Sequence, residues 1–361
     1  MGSRVQALGH DGAALWQQVA ALVARGTDPP VDEAARDALG LALVAWQRAR
    51  CPAIDRVVRA FAAEDPTTLA EVPGVPTDAF KHARIACFDA AHTVRTFRTS
   101  GTTAEVRGRH ELCDLSLYEA SCLATARRWL LPGGPYRFVL LAEPEAAAPD
   151  SSLTYMLARL AAAYGDGRGG WFVRDGALRA ADVDRALAGA ADDGVPVALL
   201  GTSFAFVHWL DAGGPAVVCP PGSVALATGG FKGRSREVEP EALFAAIGAR
   251  TGLPRSAVVQ EYGMTELSSQ AWEARVGQYA APPWMTVTAV DPVSLAPLPA
   301  GQVGLLKVVD LSNVGSAAVI QTADLGRVHP DGRFEVHGRA LGATPRGCAR
   351  AMDAMEWCVT S

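Results

Sequence analysis

The feature that most narrows the fold of this chain is a hydrophobic period that switches repeatedly between two values over residues 136–263. Four apolar runs have the length and Val/Leu content of buried strands: YRFVLLA at 136–142, VPVALLG at 195–201, AVVCP at 216–220 and SAVVQEYG at 256–263. Stretches near 117–130, 152–164, 180–190 and 240–251 instead carry apolar residues at helical spacing. Parallel strands need a crossover long enough to hold a helix, so this alternation predicts an α/β fold with a mostly parallel sheet and covering helices.

The flanks read differently. Residues 11–25, 31–49 and the stretch IDRVVRAFAAE have helical spacing, and the second opens on Val31-Asp-Glu, acidic residues suited to a helix start. They predict a helical N-terminal layer, followed by a rigid loop at VPGVPTDAF with Pro73 and Pro76. After Pro282 and Pro283, the runs MTVTAVDP, GLLKVVDL and SAAVIQT resemble short strands between turns. The expected organisation is a helical layer at 1–75, an α/β body at 76–281, a β-rich subdomain at 282–338 and a short tail at 339–361.

Composition excludes several classes of function. With 49% apolar residues in 361, wholesale disorder is ruled out, and a net charge of -5 gives no reason to expect a nucleic-acid partner. The 7 cysteines are scattered without metal-ligand spacing, which favours reduced thiols. No apolar run is long enough for a membrane span and the start resembles no secretory leader, so a soluble cytoplasmic protein is expected. Lys81, Lys232 and Lys307 are the only lysines, which makes any catalytic lysine easy to trace.

Residues 98–112, RTSGTTAEVRGRHEL, set one glycine among hydroxyl side chains and follow it with arginines. If the preceding residues form a strand, Thr99, Ser100, Gly101, Thr102 and Thr103 form its loop, whose amides and hydroxyls suit phosphate oxygens. By itself the same stretch fits a hydroxyl-rich turn or a helix cap with solvated arginines. It is not a GxxxxGK[ST] loop, because no lysine follows the glycine.

Order along the chain adds to this. ATGGFKGR at 227–234, QEYGMTEL at 260–267, GQVGLLKV at 301–308, QTADLGRVHPDGRFEVHGR at 321–339 and RGCARA at 346–351 follow in turn. Taken together with SGTT, these motifs resemble those of adenylate-forming enzymes, most closely the LuxE-like acyl-protein synthetases, over roughly residues 90–350.

The resemblance implies activation of a carboxylic acid by ATP and Mg2+ as an acyl-adenylate, with loss of pyrophosphate. It implies that Thr99 to Thr103 hold ATP phosphates, and that Arg107 stands where the family loop carries its lysine. Glu266 becomes the magnesium contact, Thr265 an α-phosphate contact, and Tyr262 with Gly263, Gly229 and Gly230 part of the adenine site. Asp324 resembles the acceptor of both ribose hydroxyls, and Arg339 a second ribose or interdomain contact. His208, in FAFVHWL, corresponds to a histidine near the acyl group; the residues themselves equally fit a buried structural histidine. Likewise Tyr262 fits a core aromatic, Thr265 the cap of a following helix and Asp324 a loop cap. Phe204, Phe206 and Trp209 hint at an apolar pocket, although aromatics also fill ordinary cores.

Only 37 residues follow Asp324, so the mobile C-terminal domain of many relatives is expected to be absent or severely truncated, with its lysine. In its place the resemblance offers Cys348, between Arg346 and Arg350, as a nucleophile that takes the acyl group as a thioester and passes it to a partner. Two other readings stay open: activation of an aryl or other acid with direct transfer to CoA or a carrier, and an inactive nucleotide-binding scaffold.

Overall fold

The computed structural model describes residues 2–28, 32–61, 66–100, 106–229, 238–340 and Met352. The chain divides into two compact units, one drawn from Met1–Ser121, Gly263–Gln270 and Gly277–Ser361, the other from Cys122–Tyr262 and Ala271–Val276. Residues 282–338 fall wholly in the first unit, while residues 76–281 are shared between the two.

The second unit holds a five-stranded parallel sheet in the order Val258–Val259, Val224–Thr228, Val197–Thr202, Arg137–Leu141, Gly170–Trp171. Helices Ser152–Tyr164, Ala180–Asp193 and Pro240–Thr251 lie at expected stretches, and Ser203–Asp211 is a further helix that the spacing did not predict. Leu199, Ala225, Leu187, Phe206, Trp209 and Ile247 close one core in this unit. Burial of side chains this size stabilises by about 1.5–3 kcal/mol each. Phe206 and Trp209 are thus core residues, and the indole Nε1 of Trp209 donates to Asp184 Oδ1 at 2.9 Å.

Two expected strands change. Residues 216–220 form none: the N–H groups of Val217 and Cys219 go to the carbonyls of Arg250 and Thr251, and Val218 faces solvent. The strand position belongs to Val224–Thr228, beyond the turn at Pro220 and Pro221, which has a parallel neighbour on each side. The run 256–263 breaks into a 3-10 turn at Arg255–Ala257 and two pairs. Val258–Val259 joins the parallel sheet, while Glu261–Tyr262 leaves it to pair antiparallel with Trp272 and Ala271.

The first unit is built on antiparallel strands in the order Gln278–Ala280, Phe334–Arg339, Val319–Val328, Val303–Asp310, Met285–Val290. Val75–Pro76 adds to Val319–Val328 in parallel. Helices Gly9–Ala24, Glu33–Arg50 and Pro52–Phe61 supply the N-terminal layer. Asp32 caps the second, accepting from Ala35 N–H at 3.1 Å. Gln47 ties that helix to the sheet: its Nε2 donates to the carbonyls of Asn313 and Val314, and its Oε1 accepts from Ala318 N–H.

Lys307 is buried on Val303–Asp310 and donates from Nζ to the carbonyls of Ala70 and Val72. Burial pushes its pKa down to about 8. Among the described residues, Cys51, Cys87, Cys113, Cys122 and Cys219 are buried and form no disulfide. No helix among those residues is long and apolar enough to cross a membrane.

Candidate functional site

In the first unit, Arg95–Arg98 and Arg109–Leu112 pair as an antiparallel hairpin with Arg98 opposite Arg109. Thr99 and Ser100 follow the first strand and 106–108 precede the second, and these described ends are tightly bonded to each other as a stem. Thr99 N–H donates to Gly108 O at 3.0 Å, and Gly108 N–H returns a bond to Thr99 Oγ1 at 2.8 Å. Arg107 turns back on this stem, with Nε 2.6 Å from Thr99 O and Nη2 3.3 Å from Arg98 O. Ser100 is described, while Gly101, Thr102 and Thr103 lie outside the described residues, as do Gly230 and Cys348.

Glu266 comes to this stem from far along the chain. A Cβ placed on Gly108 would stand 3.5 Å from Glu266 Oε1 and 3.0 Å from Thr99 Cγ2. The distance to Glu266 is an ordinary contact, whereas a side chain at Gly108 would ask Thr99 to give by a few tenths of an ångström. Burial pushes the Glu266 carboxyl up to about 7, opposed in part by the positive charges of Arg339 and Lys81. Asp78, which pairs with Lys81 at 2.8 Å, pushes the other way.

The turn that carries Glu266 is fixed from three sides. His110 Nδ1 lies 2.8 Å from Thr265 O, and Asn313 Nδ2 donates to Glu266 O at 2.8 Å. Asp310, fully buried, accepts from the N–H groups of Ser268, Ser269 and Ser312 and from Ser269 Oγ. Trp284 Nε1 then donates to the hydroxyls of Ser121 and Ser269. No helix follows Thr265, so it caps none; the chain runs on through turns and bends to Gln270.

Because a carbonyl only accepts, His110 must carry its proton on Nδ1 in the neutral ring. Burial drives its pKa down to about 4. A folded pKa below the usual 6.5 means that the unfolded chain binds the proton first, so stability is lost as pH falls from about 6.5 through about 4. Full protonation corresponds to about 3 kcal/mol. Denaturant titrations between pH 7 and 4 are expected to show this limb in the wild type, and a shallower one in His110→Asn.

Asp324 and Arg339 face each other across Val319–Val328 and Phe334–Arg339. Arg339 Nε donates to Asp324 Oδ1 at 3.1 Å, with the aspartate nearly buried and the arginine largely exposed. Neither sits on a loop. The same arginine is the one whose charge acts on Glu266, so Thr99, Glu266, Asp324 and Arg339 are brought together within one unit.

Among the described residues, no three His, Cys, Asp or Glu side chains form a metal cluster. The donor set at Glu266 is a single carboxylate. That fits Mg2+ completed by phosphate oxygens and water, which needs no all-protein cage.

Of the remaining sequence-derived residues, Tyr262, Gly229 and His208 belong to the second unit. Tyr262 is buried, and Gly229 has φ 74°, the left-handed backbone that favours glycine. Gly263, where the chain enters the first unit again, is exposed. His208 is exposed on Ser203–Asp211, with Phe204 edge-on at 6.4 Å, so it is not the buried structural histidine its apolar neighbours suggested.

Sequence reading missed Glu261, whose carboxyl accepts from Thr228 Oγ1 at 3.0 Å and is pushed up to about 7 by burial. It also missed Lys81, His110, Asn313 and Asp310. His110 lay inside the quoted loop motif; the others carried no local signal.

Residues 190–355 match the family model described as acyl-protein synthetase, LuxE. This stretch is LuxE-like. Glu266, Asp324 and Arg339 all fall inside it, whereas the loop at Thr99 precedes it. The long-chain-fatty-acid–luciferin-component ligase of Vibrio harveyi is 32% identical over 98 residues, and that of Aliivibrio fischeri 30% over 99. These matches take in 26% and 25% of this chain and 26% of each relative, so the similarity spans about a quarter of the curated proteins' length. A solved 2-hydroxyisobutyryl-CoA ligase, in the postadenylation state with 2-HIB-AMP, superposes with a TM-score of 0.58 at 15% identity, covering 87% of this chain and 69% of its own. The fold around the LuxE-like stretch is thus that of the adenylate-forming enzymes, an α/β body with a β-rich part.

Proposed function

We propose that this chain is an ATP-dependent acid-activating ligase that converts a carboxylic acid to its acyl-adenylate and transfers the acyl group onward. The observation that carries the reading is the meeting of Glu266 with the Thr99–Gly108 stem, beside an arginine that also holds Asp324.

A carboxylate is a poor electrophile, because its charge repels nucleophiles and oxide is a poor leaving group. In the proposed reaction a carboxylate oxygen attacks the α-phosphorus of ATP. The bond from that phosphorus to the bridging oxygen breaks, and its electron pair leaves on pyrophosphate. The protein has to align the two and hold charge as it moves onto phosphate oxygens. Magnesium, when bound, supplies neutralisation of phosphate charge.

Each residue's part follows from its surroundings. Glu266, kept out of water, offers an oxygen to the cation, and cation binding favours the ionised carboxylate that burial disfavours. Lys81 and Arg339 add positive charge that acts on that carboxylate. Asp324 presents acceptors suited to a diol such as ribose. The hydroxyls and amides that start at Thr99 suit phosphate, and Arg107 holds the base of that loop. Thr265 lends its carbonyl to His110, which sets the turn.

Transfer is proposed to run through Cys348: the thiolate attacks the acyl carbonyl, the bond to the adenylate oxygen breaks and AMP leaves. A second acceptor then takes the acyl group from sulfur. In Cys348→Ala, covalent labelling by the acyl group is expected to vanish while pyrophosphate exchange survives. The whole reading is tested by acid-dependent exchange of labelled pyrophosphate into ATP with fatty and aromatic acids. ATP binding without acid-dependent exchange for any acid of a broad panel would leave a nucleotide-binding scaffold.

A further inference from the structure

The second unit contains a polar corner that this mechanism does not use. In parallel α/β sheets, ligands bind beyond the carboxyl ends of the strands. At that end Thr202 and Thr228 are register partners on adjacent strands, so their side chains share one face of the sheet. That face lies opposite the core formed by Leu199, Ala225 and Ala227. Beyond it Glu261 accepts from Thr228 Oγ1 at 3.0 Å, the only side-chain hydrogen bond its carboxyl makes among the described residues. Thr202 Oγ1 is buried with no partner among those residues, and Ser203 Oγ is 3.4 Å from Thr228 O.

A buried hydroxyl with no partner is costly unless something else completes it, and beside it stands a half-buried carboxyl with a single side-chain hydrogen bond. Glu261 itself is only partly buried, which leaves it within reach of a ligand. A carboxylate already receiving one proton from Thr228 offers its remaining lone pairs to a donor. An aliphatic chain has no donor; a hydroxyl or an amino group does.

We infer that Glu261, with Thr228 and Thr202, is a specificity site for the acid substrate, selecting an acyl group that carries a hydroxyl or amino hydrogen-bond donor. This rests on the acid-activating reading above. Burial of the carboxyl, which pushes its pKa to about 7, agrees with a site made to be completed by a donor. A site built to bond such a group rejects analogues lacking it much more strongly than an apolar pocket rejects an added methylene.

The test compares matched acids: octanoate with its hydroxy and amino derivatives, and benzoate with hydroxy- and aminobenzoates. Wild type, Glu261→Gln and Glu261→Leu are each assayed for pyrophosphate exchange and, without ATP, for binding of the same acids by calorimetry. In the wild type a donor-bearing acid is expected to exceed its parent in kcat/KM by about tenfold or more. Glu261→Leu should abolish that preference mainly through KM, with the parent acid still used. Glu261→Gln, close in shape and safe for folding, should weaken amino acids of the panel more than hydroxy ones, which separates the two donors. A preference for unsubstituted acids, unchanged in either variant, overturns the inference while leaving acid activation intact. Absence of exchange with a donor preference still seen in calorimetry overturns the activation reading and keeps the site. Loss of both removes both.

Discussion

Glu266→Gln is expected to lower acid-dependent pyrophosphate exchange by about 10²–10³-fold while leaving the fold unharmed. The size follows from losing one charged group aimed at developing charge in a water-poor site, worth about 3–4 kcal/mol of barrier. Tolerance follows from the same burial. A carboxyl pushed up to about 7 destabilises the folded chain only when ionised, a cost that is absent below about 4.5 and complete above about 7. The amide never ionises, so the variant should be at least as stable as wild type at pH 8. Exchange kinetics over a magnesium titration, with thermal melts on the same samples, check both parts. Wild-type exchange rates in the variant would remove Glu266 from the chemistry, whereas a collapse of the melt would make its role structural.

Asp310→Ala is expected to be the most damaging single change to stability, at about 3–5 kcal/mol. It would leave the N–H groups of Ser268, Ser269 and Ser312 without their shared acceptor in a place where water does not reach. The hydroxyl of Ser269 would lose its carboxylate as well, loosening the links to Trp284 and Ser121. These bonds hold the turn bearing Glu266, so activity should fall along with stability. Ser312→Ala is the matched control. Its hydroxyl makes no hydrogen bond among the described residues, and its removal should change stability by less than about 1 kcal/mol. Urea titrations of both variants measure the difference directly; equal costs would mean that the carboxylate is not the centre of the network.

The long periodic segments were legible because local pattern dictates them. Helices Ser152–Tyr164 and Pro240–Thr251 stand at the expected residues, as their apolar stripes require. Short apolar runs were less reliable, since AVVCP and VALAT look alike in sequence. Neighbour pairing alone decided that Val224–Thr228 enters the sheet. Among candidate site residues, Glu266, Asp324 and Arg339 stood out through motif order, but their surroundings did not.

By itself the sequence determined the α/β alternation, the β-rich segment after Pro282 and the motif order that resembles an acyl-protein synthetase. Only the tertiary structure decided that Glu266 comes to the stem formed by Thr99 and Gly108, that Lys81 and Arg339 act on its charge, and that Glu261 takes a hydrogen bond from Thr228. Periodicity is a property of neighbours along the chain and survives in the string of letters. Desolvation and charge depend on what approaches from distant segments, which exists only once the chain has folded.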